Sequence, residues 1–308
     1  MKRLFTWLAA IGFASLLAAC GSDGHTQKNL VETAQGDPRF SILVEAVGAA
    51  GLADTLDGPG QFTVFAPTND AFAALLAELG ITKEQLLANK PLLTAVLQYH
   101  VLGSVVTQSQ VPLGKAITPL AGGIFKIDAA SGALMITDGR NRTSRIVETD
   151  IGASNGVIHA ISKVILPADK DIVQTAQSIP DFSILVEAVV AAGLADTLKG
   201  TGPFTVFAPT NAAFAALLAE LNVTKDQLLA DQRLLTAVLT YHVVPGRVLK
   251  ADVPVGTPIA TVQGGRFTID AGLAITDERG RKAGLAATDV LASNGVIHVI
   301  DKAILPRP

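Results

Sequence analysis

Gly152, Ala153, Ser154, Asn155 and Gly156 match G-x-S-x-G, the pattern in which a strained turn lifts a serine oxygen for acyl transfer. That chemistry needs a strand before the serine and a helix after it, whereas Asn155-Gly156 followed by Val157, Ile158 and His159 predicts a tight turn into a strand. A serine hydrolase is therefore the weakest of three readings of this chain. Four of the five histidines, His100, His159, His242 and His298, sit among apolar neighbours such as Tyr99, Val101, Ile158 and Ala160. They are expected to be packed, with ring nitrogens bonded to backbone rather than holding a metal. Cys20 is the only cysteine, so an internal disulfide is excluded, and no Cys/His spacing suits zinc. No cofactor motif is present.

The residues around these groups are written twice. Phe40 to Val47 recurs as Phe182 to Val189, and Phe62 to Asn69 recurs as Phe204 to Asn211. Tyr99-His100 becomes Tyr241-His242, and Ser154 to His159 becomes Ser293 to His298. A three-residue deletion between Asp270 and Leu273 shortens one loop of the second copy. Units of this size are whole domains with their own cores, not solenoid repeats. The chain divides into a leader (1–19), a tether (20–27), a first domain (28–167) and a second domain (170–306). Ala168 and Asp169 alone separate the copies, which predicts a stiff pair.

Within each unit the hydrophobic period changes. Phe40, Leu43, Val44 and Val47 lie at helical spacing, as do Phe72, Leu75, Leu76 and Leu79, and Leu93, Val96 and Leu97. Thr82 with Gln85, and Thr224 with Gln227, predict capping boxes that open a further helix in each copy. Later, Phe125 and Ile127 alternate, then Leu134 and Ile136, about a Ser131-Gly132 turn, which predicts a hairpin. Thr68 and Asn69, with Thr210 and Asn211, follow Ala-Pro and precede a helix, so a cap is the expected role.

Of 308 residues, 49% are hydrophobic and 17% charged, which excludes a disordered or collagenous chain. With 24 basic and 27 acidic residues and no clustering of the bases, nucleic acid is not an expected partner. Lys2 and Arg3 ahead of the apolar run Leu4 to Ala19 read as an export signal too short to span a bilayer comfortably. Leu17-Ala18-Ala19-Cys20 resembles the bacterial lipoprotein signal, which implies cleavage before Cys20 and acyl chains on its sulfur. Several chains would anchor the protein firmly. Gly21 after the cysteine resembles lipoproteins sorted to the outer membrane, so an exported, envelope or cell-surface location is expected. Loss of Lys2 and Arg3 with the leader leaves 22 basic against 27 acidic residues, a formal charge of −5.

Taken together, Phe-Thr-Val-Phe-Ala-Pro-Thr-Asn, the Tyr-His dipeptide and Ser-Asn-Gly-Val-Ile-His, in this order in both copies, resemble the fasciclin-type domain. The resemblance implies an α+β fold of two tandem domains, each a β-wedge or sandwich with packed helices. It also implies adhesion or contact with matrix, envelope or other cell-surface proteins, without catalysis or cofactor. By the same resemblance, candidate contact residues are Tyr99, His100, Asp150 and Ile151, with Tyr241, His242, Asp289 and Val290 in the second copy. His159 and His298, like Thr68, Asn69, Thr210 and Asn211, are expected to be structural. Some family members sequester carotenoids, which leaves binding of a small apolar ligand as the alternative. Loops where the copies differ, residues 103–110 and 139–147, are the expected contact sites.

Overall fold

The computed structural model describes residues 27–308, so the leader and Cys20 lie outside the described residues. In the first domain, helices α1 (Leu30–Gln35), α2 (Ser41–Ala50) and α3 (Ala53–Asp57) precede strand β1 (Phe62–Pro67). Helices α4 (Asn69–Leu79), α5 (Lys83–Ala88) and α6 (Lys90–Tyr99) follow, and then strands β2 (Val101–Leu102), β3 (Ala116–Ile117), β4 (Phe125–Ala130), β5 (Ala133–Thr137), β6 (Thr143–Ala153) and β7 (Gly156–Ile161). The second domain repeats the order. Its helices are α7 (Ile172–Gln177), α8 (Ser183–Ala191) and α9 (Ala195–Leu198), then, after β8 (Phe204–Pro209), α10 (Asn211–Leu221), α11 (Lys225–Ala230) and α12 (Gln232–Tyr241). Strands β9 (Val243–Pro245), β10 (Ile259–Ala260), β11 (Arg266–Ile269), β12 (Ala274–Thr276), β13 (Lys282–Ala292) and β14 (Gly295–Ile300) complete it.

Both expected capping boxes form: Thr82 Oγ1 accepts from Gln85 N at 3.3 Å while Gln85 Oε1 accepts from Thr82 N at 2.9 Å. The Thr224 and Gln227 pair does the same. Helices α1 and α7 lie where the repeat marks a boundary without helical periodicity. Asn29 with Glu32, and Asp171 with Gln174, cap them.

Each domain holds one seven-stranded sheet, ordered β2-β1-β7-β6-β5-β4-β3 in the first and β9-β8-β14-β13-β12-β11-β10 in the second. The central pair β1 and β7 is parallel, with Phe65 opposite His159. These strands read as near-continuous apolar runs because both faces are covered. Val64, Ala66 and Ile158 pack under the helices with Phe40 and Phe72. Phe65 turns to the other side, where the curled sheet encloses it with Tyr99, Phe125, Ile127 and Ile136. Phe65 and Phe125 meet edge to face at 5.2 Å. Gly156 must be glycine, since a Cβ there would stand 2.1 Å from the Phe62 carbonyl oxygen.

The domains are joined by more than the two-residue linker. Ile124 of the first packs on Leu249, Leu291 and Val296 of the second. Asn141 pairs its whole carboxamide with one residue, donating from Nδ2 to Leu291 O at 3.0 Å and accepting from Leu291 N at 2.6 Å. Lys126 Nζ lies 2.8 Å from Asp289 Oδ2.

Candidate interaction surface and apolar cavity

Tyr99 and His100 end α6, where the chain turns directly into β2, so both side chains are driven into the core. The Tyr99 hydroxyl donates to the Ile124 carbonyl and accepts from Gly139 N at 3.0 Å. His100 Nδ1 donates to Val96 O at 2.7 Å, and Nε2 accepts from Ile165 N at 3.1 Å, which assigns the neutral Nδ1–H tautomer. Burial pulls its pKa down to about 4. Tyr241 and His242 repeat the arrangement, with His242 bonded to Val238 O and Ile304 N and its pKa also lowered to about 4 by burial. The expectation that Tyr99, His100, Tyr241 and His242 touch a partner is corrected: all four face inward and tie a helix end to the strands.

His159 and His298 carry the opposite tautomer. His159 Nε2 donates to Val106 O at 2.8 Å, and Nδ1 accepts from Asp150 N at 3.2 Å. His298 bonds in the same way to Val248 O at 2.8 Å and Asp289 N at 3.3 Å. Each ring thus holds a bulge in the long strand beside it, where the register of β6 against β7, and of β13 against β14, slips twice. At that bulge Asp150 and Asp289 adopt left-handed backbone, φ 59° and 61°. Asp150 Oδ1 accepts from Gln108 N at 2.9 Å, and Asp289 Oδ1 from Lys250 N at 2.7 Å.

The second carboxylate oxygen separates the two copies. Asp289 is covered by Lys126, whereas the Asp150 side chain is 42% exposed. Ile151 and Val290 pack against the helical cores of their domains. Asp150 is therefore the one candidate contact residue that presents its functional group to solvent. The 139–147 loop is also partly committed, because Asn141 belongs to the domain joint.

Thr68 and Thr210 are the N-caps of α4 and α10, accepting from Ala71 N and Ala213 N. Asn69 and Asn211 do not cap the helices they begin but accept from first-turn N–H groups of α2 and α8, Ile42 N and Ile184 N. Asn69 Oδ1 accepts from Ile42 N and its Nδ2 donates to Pro38 O and Ser41 Oγ, so it fastens α2 to α4. Asn155 and Asn294, in the turns that lead into β7 and β14, do similar work. Asn155 accepts from Leu30 N and donates to Leu56 O, clamping α1 and α3 to the hairpin tip. Their recurrence beside Ser154 and Ser293 was the available signal. Ser154 itself lies in the two-residue turn between β6 and β7, followed by a strand, so the hydrolase elbow is absent.

Between α1, α2, α3 and β1 the first domain contains an apolar cavity of about 270 Å³, lined by Leu30, Val44, Val47, Leu56 and Val64 with His100 at one wall. The corresponding space in the second domain is about 30 Å³. The linings match at most positions, but Gly48 and Gln98 of the first correspond to Val190 and Thr240 of the second. Val47 is half-buried in the first domain, while its counterpart Val189 is buried. Among the described residues no cluster of three or more His, Cys, Asp or Glu side chains could hold a metal ion.

The family profile described as Fasciclin domain matches residues 38–167 and 180–306. The chain is 31% identical over 282 residues to the transforming growth factor-beta-induced protein ig-h3 of Sus scrofa, covering 87% of this chain and 40% of that protein. It thus spans well under half the length of that relative. It is 37% identical over 144 residues to the cell surface glycolipoprotein MPB83 of Mycobacterium bovis, covering 45% of this chain and 62% of the relative. Among solved structures, the FAS1 domain pair from the insect cell adhesion molecule fasciclin I aligns with a TM-score of 0.41 at 17% identity, covering 86% of this chain and 95% of that one.

Proposed function

We propose, from the premise that this chain belongs to the fasciclin domain family, that it is a lipid-anchored envelope or cell-surface protein whose paired domains contact matrix, envelope or other surface proteins. The observation that carries this reading is the family match over both domains, beside a relative named as a cell surface glycolipoprotein. The side chains that could do chemistry support display over catalysis: Ser154 sits in a hairpin turn and the four core histidines are bonded to backbone. In this reading Cys20 carries the acyl chains. Seven residues separate it from Lys28, so the first domain stands within about 25 Å of the membrane surface at roughly 3.5 Å per residue. No helix among the described residues is long and apolar enough to cross a membrane. Fractionation tests the anchor: the intact protein should sediment with membranes, and Cys20→Ala should release it. Pull-down of envelope or matrix proteins by residues 21–308 tests the contact role, and capture of none would overturn it.

A second reading is favoured by the first-domain cavity. At about 270 Å³ it exceeds the ~150 Å³ apolar cavity that binds benzene in another protein. A small apolar ligand, such as a carotenoid or lipid fragment, would fit its chemistry. Solvent extraction of the purified protein should then recover such a ligand, and a ligand-free extract would remove this reading.

A further inference from the structure

The joint between the domains has a donor face and a receiving face, and the internal repeat supplies a second version of each at the free ends. The donor face is Ile124, Lys126 and Asn141, and the receiving face is Leu249, Asp289, Leu291 and Val296. The repeat places Thr107, Asp150, Gly152 and Val157 at the receiving positions of the first domain. At the donor positions of the second domain it places Arg266, Thr268 and Gly280.

From these two faces, we propose that the Asp150–Gly152 edge of the first domain is a docking site for a partner protein bearing a lysine and a carboxamide, and that this partner is not a second copy of the chain. The Asp150 carboxylate is already held as Asp289 is held. It shares the left-handed backbone, the peptide N–H directed to the neighbouring histidine ring, and one oxygen fixed by a backbone N–H from the facing loop. Its other oxygen occupies the place where Asp289 receives Lys126. Close by, Glu148 is already engaged by Arg39 at 2.7 Å, so it does not compete for the incoming ammonium. Gly152 stands at the strand position where the Leu291 backbone binds the Asn141 carboxamide, and Gln27 Nε2 lies 3.7 Å from where a Cβ on Gly152 would be.

The apolar part of the joint is missing at this end. Leu249 and Leu291 are replaced by Thr107 and Gly152, which suits a partner recognised by polar groups. A second copy does not supply them. Its free donor face carries Arg266 in place of Ile124, Thr268 in place of Lys126, and Gly280 in place of Asn141. A head-to-tail joint that could in principle repeat without closing is thus limited to one use. This inference rests on the contact-protein reading but not on lipid anchoring.

The probe is the chain itself carrying Arg266→Ile, Thr268→Lys and Gly280→Asn, which rebuilds the donor face on the second domain. Asn is the side chain that tolerates the left-handed backbone of Gly280, φ 73°. Sedimentation velocity should show the wild type as monomer and the rebuilt chain as head-to-tail species growing with concentration. Adding Asp150→Asn should weaken that association about tenfold or more, as removal of a charge-assisted bond does, and high salt should weaken it too. A rebuilt chain that keeps the wild-type melting profile yet stays monomeric would overturn the proposal, as would assembly indifferent to Asp150→Asn or a wild type that polymerises through this face. If the triple substitution disturbs the second domain, Thr268→Lys alone in the half-exposed strand position must raise affinity for the Asp150 face, with the same Asp150→Asn control. Failure here with successful pull-down would remove this site and leave the contact role intact.

Discussion

Asp150 and Asp289 occupy the same bulge of the same strand at φ 59° and 61°, yet one carboxylate is 42% exposed and the other 2%. The difference is the Lys126 ammonium, which comes from the other domain. A carboxylate buried in this way is tolerable only while its counter-charge and hydrogen bonds remain.

Lys126→Met should accordingly strand the Asp289 charge and destabilise the second domain by about 3 kcal/mol or more. Calorimetry should show the second domain melting earlier and separately from the first. Pairing the change with Asp289→Asn should recover part of the loss, and a single unaltered transition in Lys126→Met would contradict the account of the joint.

Acid should loosen both domains through His100 and His242. Each has a folded pKa near 4 against an unfolded value of 6.5, because burial disfavours the imidazolium. Between pH 6.5 and 4 the unfolded chain therefore binds protons that the folded chain does not. Their stabilisation is complete above pH 6.5 and falls as the pH drops to 4, by up to about 3 kcal/mol for each ring. Denaturant midpoints measured across that window should fall less steeply in His100→Asn and His242→Asn than in the wild type.

Two glycines should respond to alanine in opposite directions. Gly48 lies in α2 with nothing within 4 Å of a new Cβ, so Gly48→Ala should stabilise by about 0.5–1 kcal/mol through helix propensity. Gly156→Ala would press a methyl against the Phe62 carbonyl and push β1 from β7. Thermal melts should place the two variants on either side of the wild type.

Asn155→Ala removes the acceptor of Leu30 N and the donor to Leu56 O in a half-buried site, a loss of about 2 kcal/mol. Hydrogen exchange should accelerate first in α1 and α3, the helices that Asn155 clamps. Uniform acceleration across the domain would argue against that local role.

Ala34→Leu adds bulk to a residue lining the first-domain cavity. An environment-sensitive apolar dye should bind the wild type and lose affinity in this variant. Ala176→Leu in the second domain, where only about 30 Å³ is available, should leave dye binding unchanged and cost stability by overpacking.

Much of the fold was legible because its signals are local. Capping at Thr82 and Thr224, the stripe through Phe40 and Leu43, and the hairpin around Ser131-Gly132 each depend on residues within a few positions. The duplication and the packing of the four core histidines against backbone groups were likewise evident from order and neighbours. The inward turn of Tyr99 was not, since it follows from α6 ending directly against β2. Nor could sequence distinguish Asp150 from Asp289, because Lys126 lies 163 residues from the carboxylate it covers. The cavity makes the same point through volume: two linings that match at most positions border about 270 and 30 Å³, a difference that the apolar pattern of neither copy displays. Short-range patterns therefore determined the elements and their apolar faces, while exposure, charge pairing and enclosed volume were decided by contacts between segments far apart in the chain.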